Sequence, residues 1–204
     1  MKRKMKRTLV ILMAAACIFA GCSRSLKFTV ESDVASAGLP VYADSVMIEY
    51  ETMVQPVKAA VHQKAFTIQG KVDKPTFAQI RAVGAQRKSS KSLILEKGTI
   101  TFQQGRACGT PLNDATFQFH QRLKEISEAH KGKQDLMPAI EAEFFSFVAG
   151  HKNDPCAVYA ILLSSHVLSR DAITRLIASA SPDVRNNGEV RSLSRKLNNA
   201  GPNE

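Results

Sequence analysis

The chain has 204 residues, 44% of them hydrophobic and 6% aromatic, with no Trp, which suits one domain with a real core or two small modules. Its net charge of +10 would suit a nucleic-acid partner, but Lys2, Arg3, Lys4, Lys6 and Arg7 stand before Thr8 without an acidic residue, so only +5 belongs to the rest. The densest later group, Arg87, Lys88 and Lys91, has no aromatic nearby on which a base could stack; it reads as a solvated loop, and nucleic acid is excluded as a partner.

Met1 to Arg7 form a basic leader, followed by an apolar run from Leu9 to Ala20. The run has the length of a signal-peptide core, roughly 7–15 residues, and is short of the roughly 20 that a spanning helix needs. Phe19-Ala20-Gly21-Cys22 closes it and resembles the lipobox of bacterial lipoproteins. Small residues at Ala20 and Gly21 admit a peptidase, and the Cys22 thiol accepts the diacylglycerol. Phe19 departs from the commoner Leu. Residues 1–21 therefore read as a lipoprotein signal peptide that takes Cys17 with it, and 22–26 as a lipidated tether that includes Ser23, Arg24 and Ser25. Each buried methylene of an anchor contributes about 0.8 kcal/mol, so two or three acyl chains hold a protein firmly where one does not.

Residues 27–109 have β character. Phe28 and Val30 alternate with polar neighbours, as do Val46, Ile48 and Tyr50, then Phe66 and Ile68; Phe77 and Ile80 follow Pro75 with looser spacing. Leu93-Ile94-Leu95 and Ile100-Phe102 flank Glu96-Lys97-Gly98, which reads as a tight hairpin with Gly98 at positive φ. Residues 110–204 have helical periodicity. The apolar stripes are Phe119, Leu123 and Ile126; Ile140, Phe144, Phe147 and Val148; Val158, Ile161 and Leu162; Ile173, Leu176 and Ile177; and Val190, Leu193 and Leu197. Asp154-Pro155 and Ser181-Pro182 place a capping side chain before a first-turn proline, and Ser169 can cap a third start. The fold class is α+β: an N-terminal antiparallel β-sandwich or open barrel, then a C-terminal bundle of about four to five helices.

Three segments resemble a domain of unknown function from envelope lipoproteins of Bacteroidota. They are Phe66-Thr67-Ile68-Gln69-Gly70-Lys71-Val72, Leu93-Ile94-Leu95-Glu96-Lys97-Gly98-Thr99-Ile100 and Gly109-Thr110-Pro111-Leu112-Asn113. Where that family has Asp-Gly before the first segment, this chain has Gln63-Lys64. In the family the domain commonly precedes a thioredoxin-like thiol-disulfide oxidoreductase domain, and the helical region resembles the connector to it; this chain reaches Glu204 where that domain would begin. The resemblance implies backbone roles for Gly98, Gly109 and Pro111 and carries over no catalytic residue. It also lends meaning to Asp44-Ser45-Val46, which fits the short O-glycosylation pattern of Bacteroidota at Ser45 and equally a turn before the Val46 strand.

Once Cys22 is acylated, Cys108 and Cys156 remain. Three readings are open: two free, partly buried thiols; one structural disulfide, which an oxidising envelope permits; or a working redox pair, without the Cys-x-x-Cys spacing that such a pair normally uses. None of His62, His120, His130, His151 and His166 stands in a His-x-x-x-His pair or beside a Cys or paired carboxylates at ligand spacing, so no metal is expected. Glu141 and Glu143 face different sides of a helix and read as solvated, like Glu125 and Glu128. No nucleophile elbow, P-loop or dinucleotide fingerprint occurs. The expectation is therefore a non-catalytic, cofactor-free binding or interaction module. It is anchored by lipid in the envelope, at the outer membrane rather than the inner, and meets a protein, peptide or glycan partner. The alternatives are an accessory to envelope thiol-disulfide exchange and a structural or adhesive surface lipoprotein.

Overall fold

Short alternating runs separated by turn residues leave one face of each strand apolar, and two such faces must meet. The structure is a computed structural model that describes residues 25–53, 55–84 and 89–199. The signal peptide with Cys17, the lipobox Cys22, the tether residues Ser23 and Arg24, and the basic residues Arg87 and Lys88 lie outside the described residues. The strands are β1 (Leu26–Asp33), β2 (Ser45–Glu49), β3 (Val57–Ala60), β4 (Ala65–Val72), β5 (Thr76–Val83), β6 (Ser90–Leu95), β7 (Gly98–Gln103) and β8 (Arg106–Cys108). The helices are α1 (Pro111–Ala129), α2 (Leu136–Gly150), α3 (Pro155–Ser164), α4 (Arg170–Ser179), the single turn α5 (Pro182–Arg185) and α6 (Gly188–Asn199). The fold is α+β, with two sheets followed by helices. Among the described residues no helix is long and apolar enough to cross a membrane.

The strand orders are β4-β1-β7-β8 and β3-β2-β5-β6, and all pairs are antiparallel except β1 with β7. Phe28, Val30, Ile68, Ile100 and Phe102 of the first sheet meet Ile48, Ile80, Leu93 and Leu95 of the second in one core. Phe77 and Ile94 point the other way, into a second core with Phe119, Phe144, Phe147, Ile161 and Leu176 from the helices. This two-sided burial explains why Leu93-Ile94-Leu95 is continuously apolar: β6 has protein on both faces. Gly70 lies opposite Phe28 in the β1–β4 register, and a Cβ there would clash with the tip of the Phe28 ring, 2.8 Å from Cε1. The glycine is the space that the ring occupies.

Glu96-Lys97-Gly98 is not a hairpin. Gly98 has positive φ (124°), but β6 pairs with β5 while β7 pairs with β1 and β8, so the three residues cross from one sheet to the other. The physical reason is Glu96, which is buried and drawn toward the start of α1. Its Oε1 accepts from the Thr110 hydroxyl (2.7 Å) and from the backbone N–H groups of Leu112 (2.8 Å) and Asn113 (3.2 Å). A carboxylate thus satisfies two of the free donors of the first helical turn, where negative charge is favoured. Fully buried Asn113 accepts from Ile94 N–H (2.9 Å) and donates to Ile94 C=O (2.7 Å). β6 is the edge of its sheet, and the Asn113 amide stands in for a missing neighbouring strand. Glu96, Thr110 and Asn113 therefore clasp the sheet to the helices.

Two real tight turns have positive φ at both central residues, the pattern that matches strand twist. One is Gln104-Gly105 (52° and 75°), which joins β7 to β8; the other is Gln63-Lys64 (50° and 66°), inside the His62–Ala65 bridge. The second turn keeps its shape without glycine, so two L side chains sit in the left-handed region. The helix starts agree with the sequence reading. Asp154 accepts from Cys156 N–H, Ser169 from Ala172 N–H and Ser181 from Val184 N–H.

Candidate functional site

A cleft of about 560 Å³ opens where the β5–β6 edge and the β7–β8 turn meet α1, α3 and α6. Leu162, Leu163 and Leu193 give it one apolar wall, and Lys91, Arg106 and Lys196 bring cations to the others. Lys91 is not in a solvated loop as the sequence suggested. It belongs to β6, is half-buried, and runs its side chain across Gly38 and Gly105; a Cβ at Gly105 would lie 3.3 Å from its ammonium. Gly105 N–H in turn donates to Ser36 C=O (2.7 Å), which fixes the turn that presents Arg106. Among the described residues none of Lys91, Arg106 and Lys196 has a carboxylate within 4.0 Å, whereas Arg81, Arg122, Arg175 and Arg191 elsewhere each have one. Glu189 is the acid on the rim.

The floor is a neutral pair. His120 of α1 and Tyr159 of α3 share a hydrogen bond between Nε2 and the phenol oxygen, with their rings edge-on at 5.6 Å. Burial, followed by the nearby Arg106 charge, brings His120 down to about 4. Burial pushes Tyr159 up to about 12, with Arg106 opposing. Neither ring is charged at neutral pH. The pair offers fixed hydrogen bonding rather than a base or acid poised near pH 7.

No protein-family model, curated protein or solved structure matches this chain. The site therefore rests on its own geometry.

The other singled-out residues are dispersed. Cys108 on β8 and Cys156 at the start of α3 are free thiols in separate surroundings; the Cys108 sulfur contacts the Thr101 hydroxyl (3.4 Å) and that of Cys156 faces the Leu112 carbonyl (3.5 Å). Burial, followed by the Asp154 carboxylate, pushes the Cys156 thiol far up, so it is protonated at neutral pH, the reverse of an activated thiolate. Ser45 opens β2, half-buried between its register partners Ala60 and Val83, rather than standing in a free turn. Glu141 and Glu143 are not simply solvated: Glu141 pairs with Arg175 of α4 (2.5 Å) and Glu143 with Arg122 of α1 (2.6 Å). His62 is exposed, His166 lies on the cleft rim, and His130 ends α1 at 2.9 Å from Asp135.

His151 corrects the sequence reading most. It does neighbour a carboxylate and a thiol: ligand atoms of His151, Asp154 and Cys156 all lie within 4.8 Å of one another. Their spacing, His-x-x-Asp-x-Cys, bends round the corner from the end of α2 into α3, a geometry that the usual helical or Cys-x-x-Cys templates do not capture. A second cleft, of about 690 Å³, opens beside Asp154. Its Glu51 is already engaged, accepting from Gly188 N–H (2.9 Å) and Asn187 (3.2 Å) to tie the second sheet to α6.

Proposed function

We propose that the protein is a lipid-anchored, non-catalytic binding module of the bacterial envelope, placed at the outer membrane, whose basic cleft holds a small anionic ligand. Export and the lipid anchor are supported by the sequence alone, through the basic leader, the short apolar run and Cys22. The binding role rests on one observation: three cations line a cleft without carboxylate partners among the described residues, above a neutral His120–Tyr159 floor. Such cations are free to meet an anion, and the leucine wall accommodates an apolar ring face. A carboxylated or phosphorylated sugar has this chemistry and a size suited to the cleft.

The experiment is calorimetric titration with a glucuronate-containing disaccharide and with its neutral glucose counterpart. The acidic sugar should bind, more weakly at high salt, and Arg106→Gln or Lys196→Gln should weaken it at least about tenfold, in line with the loss of a charge-assisted hydrogen bond. Equal affinity for both sugars, or indifference to the two substitutions, would contradict the proposal.

A further inference from the structure

We propose that His151, Asp154 and Cys156 form a binding site for a borderline-soft divalent metal ion of the zinc class, clipping the end of α2 to the start of α3. The inference stands apart from the anionic cleft and shares no residue with it. The three groups offer nitrogen, oxygen and sulfur, a donor set that zinc accepts and that calcium and magnesium do not.

The geometry is close to what coordination requires. Metal–ligand bonds of about 2.0–2.3 Å in a tetrahedron put ligand atoms roughly 3.3–3.8 Å apart. Here His151 Nδ1 and Asp154 Oδ2 are 2.9 Å apart, and no ligand pair exceeds 4.8 Å. The shortest pair must open by about half an ångström and the longest close by about 1 Å, within the reach of side-chain rotation. Asp154 divides its work between its two oxygens. Oδ1 accepts from Cys156 N–H (2.8 Å) and caps α3, while Oδ2 faces His151, so coordination through Oδ2 leaves the cap in place.

Cys156 is fully buried, and its sulfur meets the Leu112 carbonyl at 3.5 Å. The Asp154 and Glu96 carboxylates put negative potential on that sulfur, which disfavours a thiolate alone and favours a cation beside it. His151 and Asp154 keep side-chain exposures of 26% and 32%, and Asp154 borders the second cleft, so an ion can reach the site and hold water as a fourth ligand. On binding, the thiol proton leaves to solvent and the imidazole proton moves from Nδ1 to Nε2; no electron is transferred.

The test is titration of the full chain, purified from membranes in detergent and without an affinity tag, with Co²⁺ as a spectroscopic stand-in for zinc. A thiolate-to-cobalt absorption band should saturate at one equivalent per chain and be displaced by Zn²⁺. It should disappear in Cys156→Ser and persist in Cys108→Ser. Because Cys156 is buried, Asp154→Asn serves as the second variant: Asn caps a helix as well as Asp does, so circular dichroism should be unchanged while affinity falls at least about tenfold. No thiolate band, or a band that survives Cys156→Ser, or unchanged affinity in folded Asp154→Asn, would overturn the site.

Discussion

Asn113→Ala tests the clasp between sheet and helices. The substitution removes the one side chain that pairs with both Ile94 N–H (2.9 Å) and Ile94 C=O (2.7 Å) at the edge of β6. Both backbone groups are buried among Phe77, Phe119 and neighbouring apolar side chains, with no room to turn toward solvent. Leaving a buried donor or acceptor unpaired costs about 1–3 kcal/mol each, so the variant should lose about 2–6 kcal/mol. That is a large part of the roughly 5–15 kcal/mol typical of a domain. Urea unfolding followed by circular dichroism measures the loss, and hydrogen exchange at the Ile94 amide localises it. Asn198→Ala, on an exposed position of α6, should stay within about 0.5 kcal/mol. A loss below about 1 kcal/mol for Asn113→Ala, with the Ile94 amide still protected, would refute the clasp.

Three further outcomes follow from the same reasoning. The Gln63-Lys64 turn has both residues at positive φ, so the double replacement Gln63→Asn, Lys64→Gly should raise stability by about 1–2 kcal/mol in a urea melt; a loss would mean that those side chains contribute contacts outweighing the relief. Gly70→Ala should destabilise by about 2 kcal/mol or more, because the new methyl group meets the Phe28 ring, and Phe28→Leu in the same chain should recover part of that loss. His120 sits at about 4 when folded, against an ordinary 6.5, so the unfolded chain binds the extra proton first between these values. Its contribution to stability should be complete above pH 6.5 and be lost as pH falls toward 4, by about 2–3 kcal/mol in total once solvent screening of the partly exposed ring is allowed for. A His120→Gln variant should show a flatter stability profile across that window, and an unchanged profile would contradict the buried neutral pair.

The periodic elements were legible because burial acts on every second or every third to fourth residue, as in Phe28-Val30 and in Phe119-Leu123-Ile126. β3 was missed because Val57-Lys58-Ala59-Ala60 lacks bulky alternation, and β8 because it has only three residues. The crossover at Glu96 looked like a hairpin because a Gly-containing turn between two apolar runs fits both connections. What decides between them is a carboxylate meeting a helix start 16 residues later, and no local pattern encodes that. Ile94, Glu96, Thr110 and Asn113 build the clasp and Gly70 the notch for Phe28, so each of these residues has a structural reason to stand where it does. The cleft was illegible because Lys91, Arg106, His120, Tyr159 and Lys196 come from five elements and converge only through packing. The His151 cluster is local in sequence, but its geometry depends on the corner between α2 and α3.

Acylation of Cys22 is the claim on which the envelope role depends, and intact mass spectrometry of the protein extracted from membranes measures it directly. The expected result is a chain that starts at Cys22 and carries the added mass of a diacylglyceryl group, with a Cys22→Ala variant that retains its leader. A chain beginning elsewhere, or an unmodified Cys22 on protein recovered from the cytosol, would contradict it.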